Sequence, residues 1–168
     1  MDAPGTRRPR VEDLGISDGL VQLSFLVQDT LARVAAAHDV PPQQARLLGI
    51  LRDREPGMAR LAKMLELDKS STTGLVARAE RRGLVKRAVV PEDRRAVRVA
   101  LTENGRELAA ALTEQMDREL HRLVEGLVES NRKRLSVLAS QVVQLHARDR
   151  GIDLSADVDP PGTGARND

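Results

Sequence analysis

The sequence predicts a mainly α fold with a small β-hairpin wing: a winged helix-turn-helix flanked by N-terminal and C-terminal dimerisation helices. Three observations lead to this prediction. Apolar residues recur every three or four positions on both sides of the middle of the chain, as in amphipathic helices. The middle changes to two short β-branched runs, 85–90 and 97–101, joined by a charged turn predicted over residues 91–95. With one Phe, no Trp and no Tyr, the core must consist of leucine, valine and alanine.

The 168 residues suit one domain or one protomer of an intertwined dimer. Residues 1–16 are rich in proline, glycine and arginine, and we expect a flexible N-terminal arm that either contacts DNA or is simply disordered. Residues 17–148 are expected to form the folded domain. Residues 149–168 are rich in aspartate, proline and glycine, so we expect a disordered tail.

Long helices are predicted at both ends of the domain, over residues 17–38 and 103–148. Phe25 falls off the main apolar stripe of the first helix, so that helix is apolar on more than one side. The C-terminal region is predicted to divide into two helices at Ser130-Asn131. Because a small module cannot cover such stripes, we expect these helices to pack against a twofold-related copy of the chain. The stripe of the first helix comprises Leu20, Leu23, Val27, Leu31 and Val34.

Residues 41–101 are predicted to form the winged module. Pro41-Pro42 suit the first turn of a helix, since proline lacks the amide hydrogen that is free there. Asp68 is the predicted N-cap of a later helix, because its carboxylate can accept the free amide hydrogens of the first turn. Gly83 is expected to end that helix, since glycine adopts the left-handed conformation without steric cost. Thr102 is expected to cap the helix that follows the wing.

Basic residues are concentrated in this module. From Lys69 to Arg98 there are nine basic and three acidic residues, a net charge of +6, whereas the whole chain carries +2. A helix fits the major groove of duplex DNA, and a slim arginine-bearing tip fits the minor groove. The alternative is a solvated basic face, which is what a run of charged residues usually forms.

The first turns of the helix after Asp68 are expected to enter the major groove, as in helix-turn-helix docking, although each hydroxyl there can instead cap the helix. These turns contain Lys69, Ser70, Ser71, Thr72 and Thr73.

The same residues resemble the MarR family of bacterial transcriptional regulators, in a pattern that runs from about Leu20 to Leu145. The most specific part is the wing with Asp93 and Arg95, followed by Leu101-Thr102-Glu103-Asn104-Gly105. The resemblance implies an obligate dimer that binds a pseudo-palindromic operator and is usually released by a small ligand. Two departures are Gly74, where the family often has arginine, and Ala79 in place of leucine. Further matches are Val40-Pro41-Pro42-Gln43-Gln44, Leu61-Ala62, Leu67-Asp68-Lys69-Ser70-Ser71-Thr72-Thr73 and Gly83-Leu84-Val85-Lys86-Arg87.

Roles at the wing are implied by this resemblance. Arg95 is expected to enter the minor groove, and Asp93 can hold its guanidinium through a charge-assisted fork. Arg94 is then expected to contact a phosphate, although the two arginines can exchange roles. The alternative is a surface salt bridge of little energetic value. Arg78 is expected to contact DNA, with a surface ion pair as its alternative.

Several classes of function are disfavoured by composition. Zero cysteines exclude a disulfide framework and a thiolate metal site. His38, His121 and His146 lack the spacing of metal ligands, so we expect neither a metal nor a cofactor. The sequence offers no nucleophile–base pair and no glycine-rich phosphate loop, so we do not expect an enzyme. No apolar run reaches the roughly 20 residues that span a bilayer, so we expect a cytoplasmic protein without a membrane partner.

The sequence therefore predicts a dimeric, sequence-specific DNA-binding transcriptional regulator, in particular a repressor released by a small-molecule effector. Its predicted partners are a pseudo-palindromic operator in double-stranded DNA and a second copy of the chain. The ligand crevice is expected between the first, second and fifth helices, with Phe25 and Arg46 as candidate contacts. The alternative is a sequence-tolerant architectural DNA-binding protein without a ligand, because Gly74 reduces side-chain readout.

Overall fold

The computed structural model describes residues 12–90 and 93–152, with side chains for all of these except 89, 90 and 93–96. The predicted fold class, mainly α with a β-hairpin wing, is confirmed. The predicted arm and tail lie largely outside the described residues. The elements are α1 (Gly15–Ala37), α2 (Pro42–Leu51), α3 (Met58–Leu65), α4 (Lys69–Arg81), β1 (Val85–Val90), β2 (Asp93–Leu101), α5 (Glu103–Val124) and α6 (Glu129–Asp149).

The core lies inside the winged module, where α2, α3, α4 and the hairpin meet. Leu47 and Leu48 of α2 and Leu61 of α3 are fully buried, as is Val76 of α4. Burying one such side chain stabilises the fold by about 1.5–3 kcal/mol relative to leaving it in water. α5 covers the module from the other side and packs against α1 and α2. This packing gives α4 a rigid support.

The wing is a two-stranded antiparallel sheet in which Val85 pairs with Leu101 and Val89 with Val97. The register shifts between Val89 and Val90, so Val90 pairs with Asp93. β2 therefore begins at Asp93, and the prediction that the turn extends over residues 91–95 is wrong. Three residues of β2, 94–96, lie between the pairs Val89–Val97 and Val90–Asp93, whereas β1 has none there. The base of the wing is fixed by Val99, whose N–H donates to Pro56 O at 3.0 Å.

A compact junction joins the end of α4 to the start of α5. Gly83 has φ +67°, and Thr102 caps α5 by accepting a hydrogen bond from Gly105 N at 3.0 Å; both predictions are confirmed. Thr102 Oγ1 also donates to Gly83 O at 2.6 Å, and Thr102 N donates to Leu84 O at 3.1 Å. The backbones are so close that a Cβ on Gly105 would lie 1.9 Å from Leu84 O.

The helices α1 and α6 leave much apolar surface uncovered. Within α6 only Ala147 is buried, and Leu138 and Val142 are each 58% exposed. The break between α5 and α6 spans residues 125–128 and contains Gly126, a poor helix former, whereas Ser130-Asn131 lie in the first turn of α6. The prediction of a break at Ser130-Asn131 is therefore wrong by a few residues. No helix in residues 12–90 and 93–152 is both long and apolar enough to cross a bilayer.

Candidate nucleic-acid interface

The first turn of α4 is organised by one carboxylate. Asp68 is the N-cap, as predicted, and its Oδ1 accepts a hydrogen bond from Ser71 N at 2.8 Å. Ser70 Oγ donates to Asp68 Oδ1 and Ser71 Oγ to Asp68 Oδ2, both at 2.6 Å. The hydroxyl hydrogens of both serines are thus directed towards Asp68. Their remaining lone pairs can still accept hydrogen bonds from a ligand.

The same hydrogen bonds determine the charge of the cap. Donation from the Ser70 hydroxyl, then from the Ser71 hydroxyl and amide, holds the pKa of Asp68 well below its usual range. The carboxylate therefore stays ionised through the ordinary pH range. It lies at the positive end of the helix dipole, where a negative charge stabilises a helix.

Replacing Asp68 by asparagine is expected to lower the melting temperature at neutral pH. Because the folded pKa lies below the unfolded value of 3.8, the carboxylate stabilises the fold above about pH 4 and loses this contribution as the pH falls further. Thermal denaturation from about pH 7 down to about pH 3 tests this. The difference in melting temperature between wild type and Asp68→Asn should stay constant above about pH 5 and shrink below about pH 4. An equal difference at both ends of the range would contradict it.

The predicted contacts on α4 do not all face outward. Thr72 is fully buried, and its Oγ1 donates to Asp68 O at 2.8 Å, so it is not available to a duplex. The sequence contains the signal for this, since Thr72 shares the helical period of the buried Leu75, Val76 and Ala79. Thr73 is exposed, but its hydroxyl donates to Lys69 O at 2.7 Å.

Two cations on α4 remain without a partner. Lys69 and Arg78 are exposed, and neither side chain forms a hydrogen bond or ion pair with another residue in the described part of the chain. Gln43, at the start of α2, borders the same surface as Ser70 and Arg78, and we had not assigned it a role from the sequence. Its position depends on how α2 packs beside α4, which the local sequence pattern does not encode.

At the wing the structure describes backbone rather than side chains. Asp93, Arg94 and Arg95 lie in β2, but their side chains fall outside the described residues, so their predicted roles stay predictions. Lower on the hairpin, Lys86 and Arg98 are exposed, and Arg87 Nε lies 3.5 Å from Glu80 Oε2 of α4. Basic side chains therefore continue from α4 onto the wing.

Comparisons with known proteins agree with this architecture. Residues 38–96 match the model of the MarR family. The uncharacterised HTH-type transcriptional regulator YfiV of Bacillus subtilis (strain 168) is 36% identical over 90 residues, which are 53% of this chain. The match spans 56% of the length of that relative, little more than half. The crystal structure of transcriptional regulator PA4135 superposes with a TM-score of 0.66 at 28% identity, covering 79% of this chain and 98% of that one. Over residues 38–96 the chain is similar to the MarR family, and the solved structures it matches share its fold.

The resemblance noted in the sequence is thereby confirmed, and the family and fold are those of transcriptional regulators rather than enzymes. A second solved structure is CouR from Rhodococcus jostii RHA1 bound to p-coumaroyl-CoA, with a TM-score of 0.66 and 24% identity. It covers 79% of this chain and 95% of the CouR chain. At this identity the similarity establishes the fold alone.

A cavity of about 720 Å³ lies between the winged module and the flanking helices. Its walls come from α1, α2 and α5, as predicted, and also from α3 and α6. Leu31, Leu112 and Met116 give it an apolar interior, and Arg46 lines it. Phe25 is 58% exposed on α1 and is not among the lining residues, so its role as a ligand contact stays a prediction.

One cation of the cavity wall is unusual. Arg54 lines the cavity, and its Nε and Nη1 are buried without a hydrogen-bond partner among the described residues. Two other arginines nearby are paired: Arg52 Nη2 lies 2.5 Å from Asp53 Oδ2, and Arg150 Nη1 lies 2.6 Å from Glu66 Oε1. The hydrogen bond that Arg52 donates to Asp53 holds the pKa of the Asp53 carboxyl below its usual value. No local pattern in the sequence distinguishes Arg54, because the burial of its Nε and Nη1 arises only from tertiary packing. Within residues 12–90 and 93–152, no three His, Asp or Glu side chains form a group suited to a metal ion.

Proposed function

We propose that this chain is a dimeric, sequence-specific DNA-binding transcriptional regulator, acting as a repressor that a small-molecule ligand releases. The observation that carries the proposal is the exposed face of α4, where Lys69 and Arg78 lie without partners beside the outward Ser70 and Ser71. The cap at Asp68 holds this face in one conformation. A helix so presented, next to a basic hairpin, suits the major groove with the wing over the backbone or the minor groove.

The flanking helices support a homodimer. Leu20 and Phe25 on α1 and Leu138 and Val142 on α6 are about half exposed in one protomer. Monomeric soluble proteins rarely expose apolar patches as large as such helices present. A twofold copy that covers these faces would bury them and set two α4 helices side by side. The operator would then be pseudo-palindromic, since its symmetry follows that of the protein.

Release by a ligand follows from the position of the cavity. Two α4 helices must lie about one duplex turn, roughly 34 Å, apart to enter successive major grooves. The cavity separates the winged module from α5 and α6, so a ligand that fills it would change the position of α4 relative to the dimer helices. Such a ligand binds the DNA-free protein more tightly than the DNA-bound protein, and the ratio of these two affinities is the factor by which it weakens DNA binding. By linkage, DNA weakens ligand binding by the same factor.

The cavity suggests the chemistry of this ligand. Burying the Nε and Nη1 of Arg54 without hydrogen-bond partners is costly, whereas a bound anion that accepts hydrogen bonds from these atoms would offset the cost. Apolar walls from Leu31, Leu112 and Met116 favour an apolar body behind that anion. The proposed ligand is therefore an organic anion such as an aromatic carboxylate. The related CouR fold has p-coumaroyl-CoA bound, a molecule that also combines an apolar part with negative charge.

Selection from random duplex DNA, followed by footprinting, tests the regulator. A specific, twofold-symmetric footprint that Arg95→Ala weakens by roughly tenfold would support it, because the lost arginine contact is worth about 1–3 kcal/mol. Equal affinity for all sequences with a steep salt dependence would instead favour the architectural alternative. Absence of binding to any duplex would contradict both the regulator and the architectural alternative.

Replacing Arg54 by methionine is expected to stabilise the ligand-free protein by about 1–2 kcal/mol, because two buried nitrogens without hydrogen-bond partners are removed. The same change should abolish stabilisation by anionic ligands. Thermal shift assays with a panel of aromatic carboxylates measure both effects, and the corresponding methyl esters serve as neutral controls.

The matched control is Arg46→Met, which removes an exposed guanidinium from the same cavity and should bring no gain in stability. The assignment of Arg54 fails if Arg54→Met destabilises the ligand-free protein, or if the esters bind as well as the acids. Either result would leave the DNA-binding proposal intact.

A further inference from the structure

A crevice of about 380 Å³ opens on the exposed face of α4, between that helix and the start of α2. It exists because Gly74 has no side chain at the centre of the face. Its lining includes the apolar side chains of Leu67 and Leu75 and the polar side chains of Ser70 and Arg78. Residues 70, 74 and 78 follow one another at intervals of four and therefore lie on the same side of the helix.

Arg78 extends across this crevice. Its Nη1 lies 3.4 Å from the place that a Cβ on Gly74 would occupy. Long side chains on a helix point back towards its N-terminus, so Arg78 covers the turn that contains Gly74. Within the described residues the side chain of Arg78 has no hydrogen-bond or ion-pair partner. The guanidinium is thus brought from the third turn of α4 to the middle of the exposed face.

The neighbouring hydroxyl groups cannot serve as the main donors. Ser70 and Ser71 donate to Asp68, and Thr73 donates to Lys69 O. A base edge that needs a hydrogen-bond donor from this part of α4 must therefore obtain it from Arg78 or Lys69. Arginine offers two parallel N–H groups, which match the O6 and N7 acceptors of guanine, whereas lysine offers a point charge.

We propose that Arg78, folded across the crevice at Gly74, reads a guanine in each half-site of the operator. This inference rests on the proposed sequence-specific DNA binding and adds the residue and the base. The crevice leaves room for the guanidinium to lie against the helix while the major-groove edge of the base approaches. The glycine that removes one side chain from the interface is therefore what positions the arginine four residues later.

The proposal is tested by selecting preferred sites from random duplex DNA with four proteins: wild type, Arg78→Ala, Arg78→Lys and Gly74→Leu. The wild type should enrich a symmetric site that contains a required G·C pair in each half. Replacing that guanine by 7-deazaguanine, which removes the N7 acceptor, should weaken wild-type binding by roughly tenfold. All three variants should lose the requirement for that base, and Arg78→Ala should be indifferent to the 7-deaza substitution.

Gly74→Leu fills the crevice while keeping Arg78, and leucine favours a helix more than glycine does, so the variant should fold. The matched control is Arg122→Ala on α5, which removes an exposed arginine far from α4 and should select the wild-type site. Circular dichroism of each variant verifies folding.

Each remaining outcome is decisive. If Arg78→Ala selects the wild-type site but binds every sequence more weakly with a smaller salt dependence, Arg78 contacts phosphate and the inference is overturned. If Gly74→Leu keeps the guanine requirement, the crevice plays no part and the inference is again overturned. If the wild type selects no site, the proposed specific regulator fails together with it.

Discussion

Gly105→Ala is expected to destabilise the fold by about 3 kcal/mol, because the junction has no space for a methyl group. A Cβ on Gly105 would lie 1.9 Å from Leu84 O and 2.9 Å from Leu84 C, far inside van der Waals contact. Both neighbours are backbone atoms, so no rotamer change can relieve the overlap. The backbone of Leu84 is held by Thr102 N on one side and by the left-handed Gly83 on the other.

Urea denaturation and thermal melting measure this effect, and for a chain of this size 3 kcal/mol corresponds to roughly 10 °C in melting temperature. DNA binding should weaken in parallel, since relief requires α5 to move away from the end of α4. Gly49→Ala is the matched control: nothing lies within 4 Å of its Cβ, and alanine should add up to about 1 kcal/mol to helix α2. A stability of Gly105→Ala within about 0.5 kcal/mol of wild type would contradict the packing of this junction.

The junction shows what could be predicted from the sequence. The caps Asp68 and Thr102 and the turn at Gly83 were predicted correctly because each depends on chemistry within three or four residues. The close approach of Gly105 to Leu84 joins residues 21 positions apart. Only the packing of α5 against the end of α4 creates that contact. The need for glycine at this position is therefore visible only in three dimensions.

In the candidate DNA-binding site, too, only the features that depend on local sequence could be predicted. Ser70, Ser71 and Arg78 could be placed on one exposed face from helical spacing alone. That their hydroxyl hydrogens are used by Asp68, and that Arg78 crosses Gly74, depends on rotamers that spacing does not determine. The buried guanidinium of Arg54 was missed altogether, since nothing in its local sequence distinguishes it from the exposed arginines around it.

A single ion pair connects the two proposed sites. Glu66 ends α3 in the left-handed conformation, φ +56°, two residues before the cap Asp68. Its carboxylate accepts a hydrogen bond from Arg150, which follows α6, and lies 3.6 Å from His146 Nε2. Glu66 and His146 also line the cavity. A ligand that displaces α6 therefore acts on the turn that begins α4, although an exposed pair of this kind contributes at most about 1 kcal/mol by itself.

The double substitution Leu138→Glu with Val142→Glu is expected to convert the proposed dimer into monomers of 18.4 kDa and to weaken binding to the proposed operator by roughly 10²–10⁴-fold. The two residues lie one helical turn apart on α6, and each is 58% exposed in the isolated protomer. Burial of such side chains drives association, whereas two carboxylates placed there would have to lose their hydration in the interface. A monomer contacts only one half-site, so it loses the gain in affinity that comes from binding both half-sites at once.

Analytical ultracentrifugation gives the oligomeric state, and titration of a selected operator gives the affinity. Because both positions are exposed, the substitutions leave the core of the winged module untouched, and the helical circular dichroism signal should persist. Ser136→Glu is the matched control, since it adds a carboxylate to the opposite side of α6 from Leu138 and should leave the dimer in place. A double variant that remains dimeric would show that this face of α6 is not the interface. A wild-type chain that sediments as a monomer would remove the twofold operator from the proposal, because the symmetry of the site derives from that of the protein.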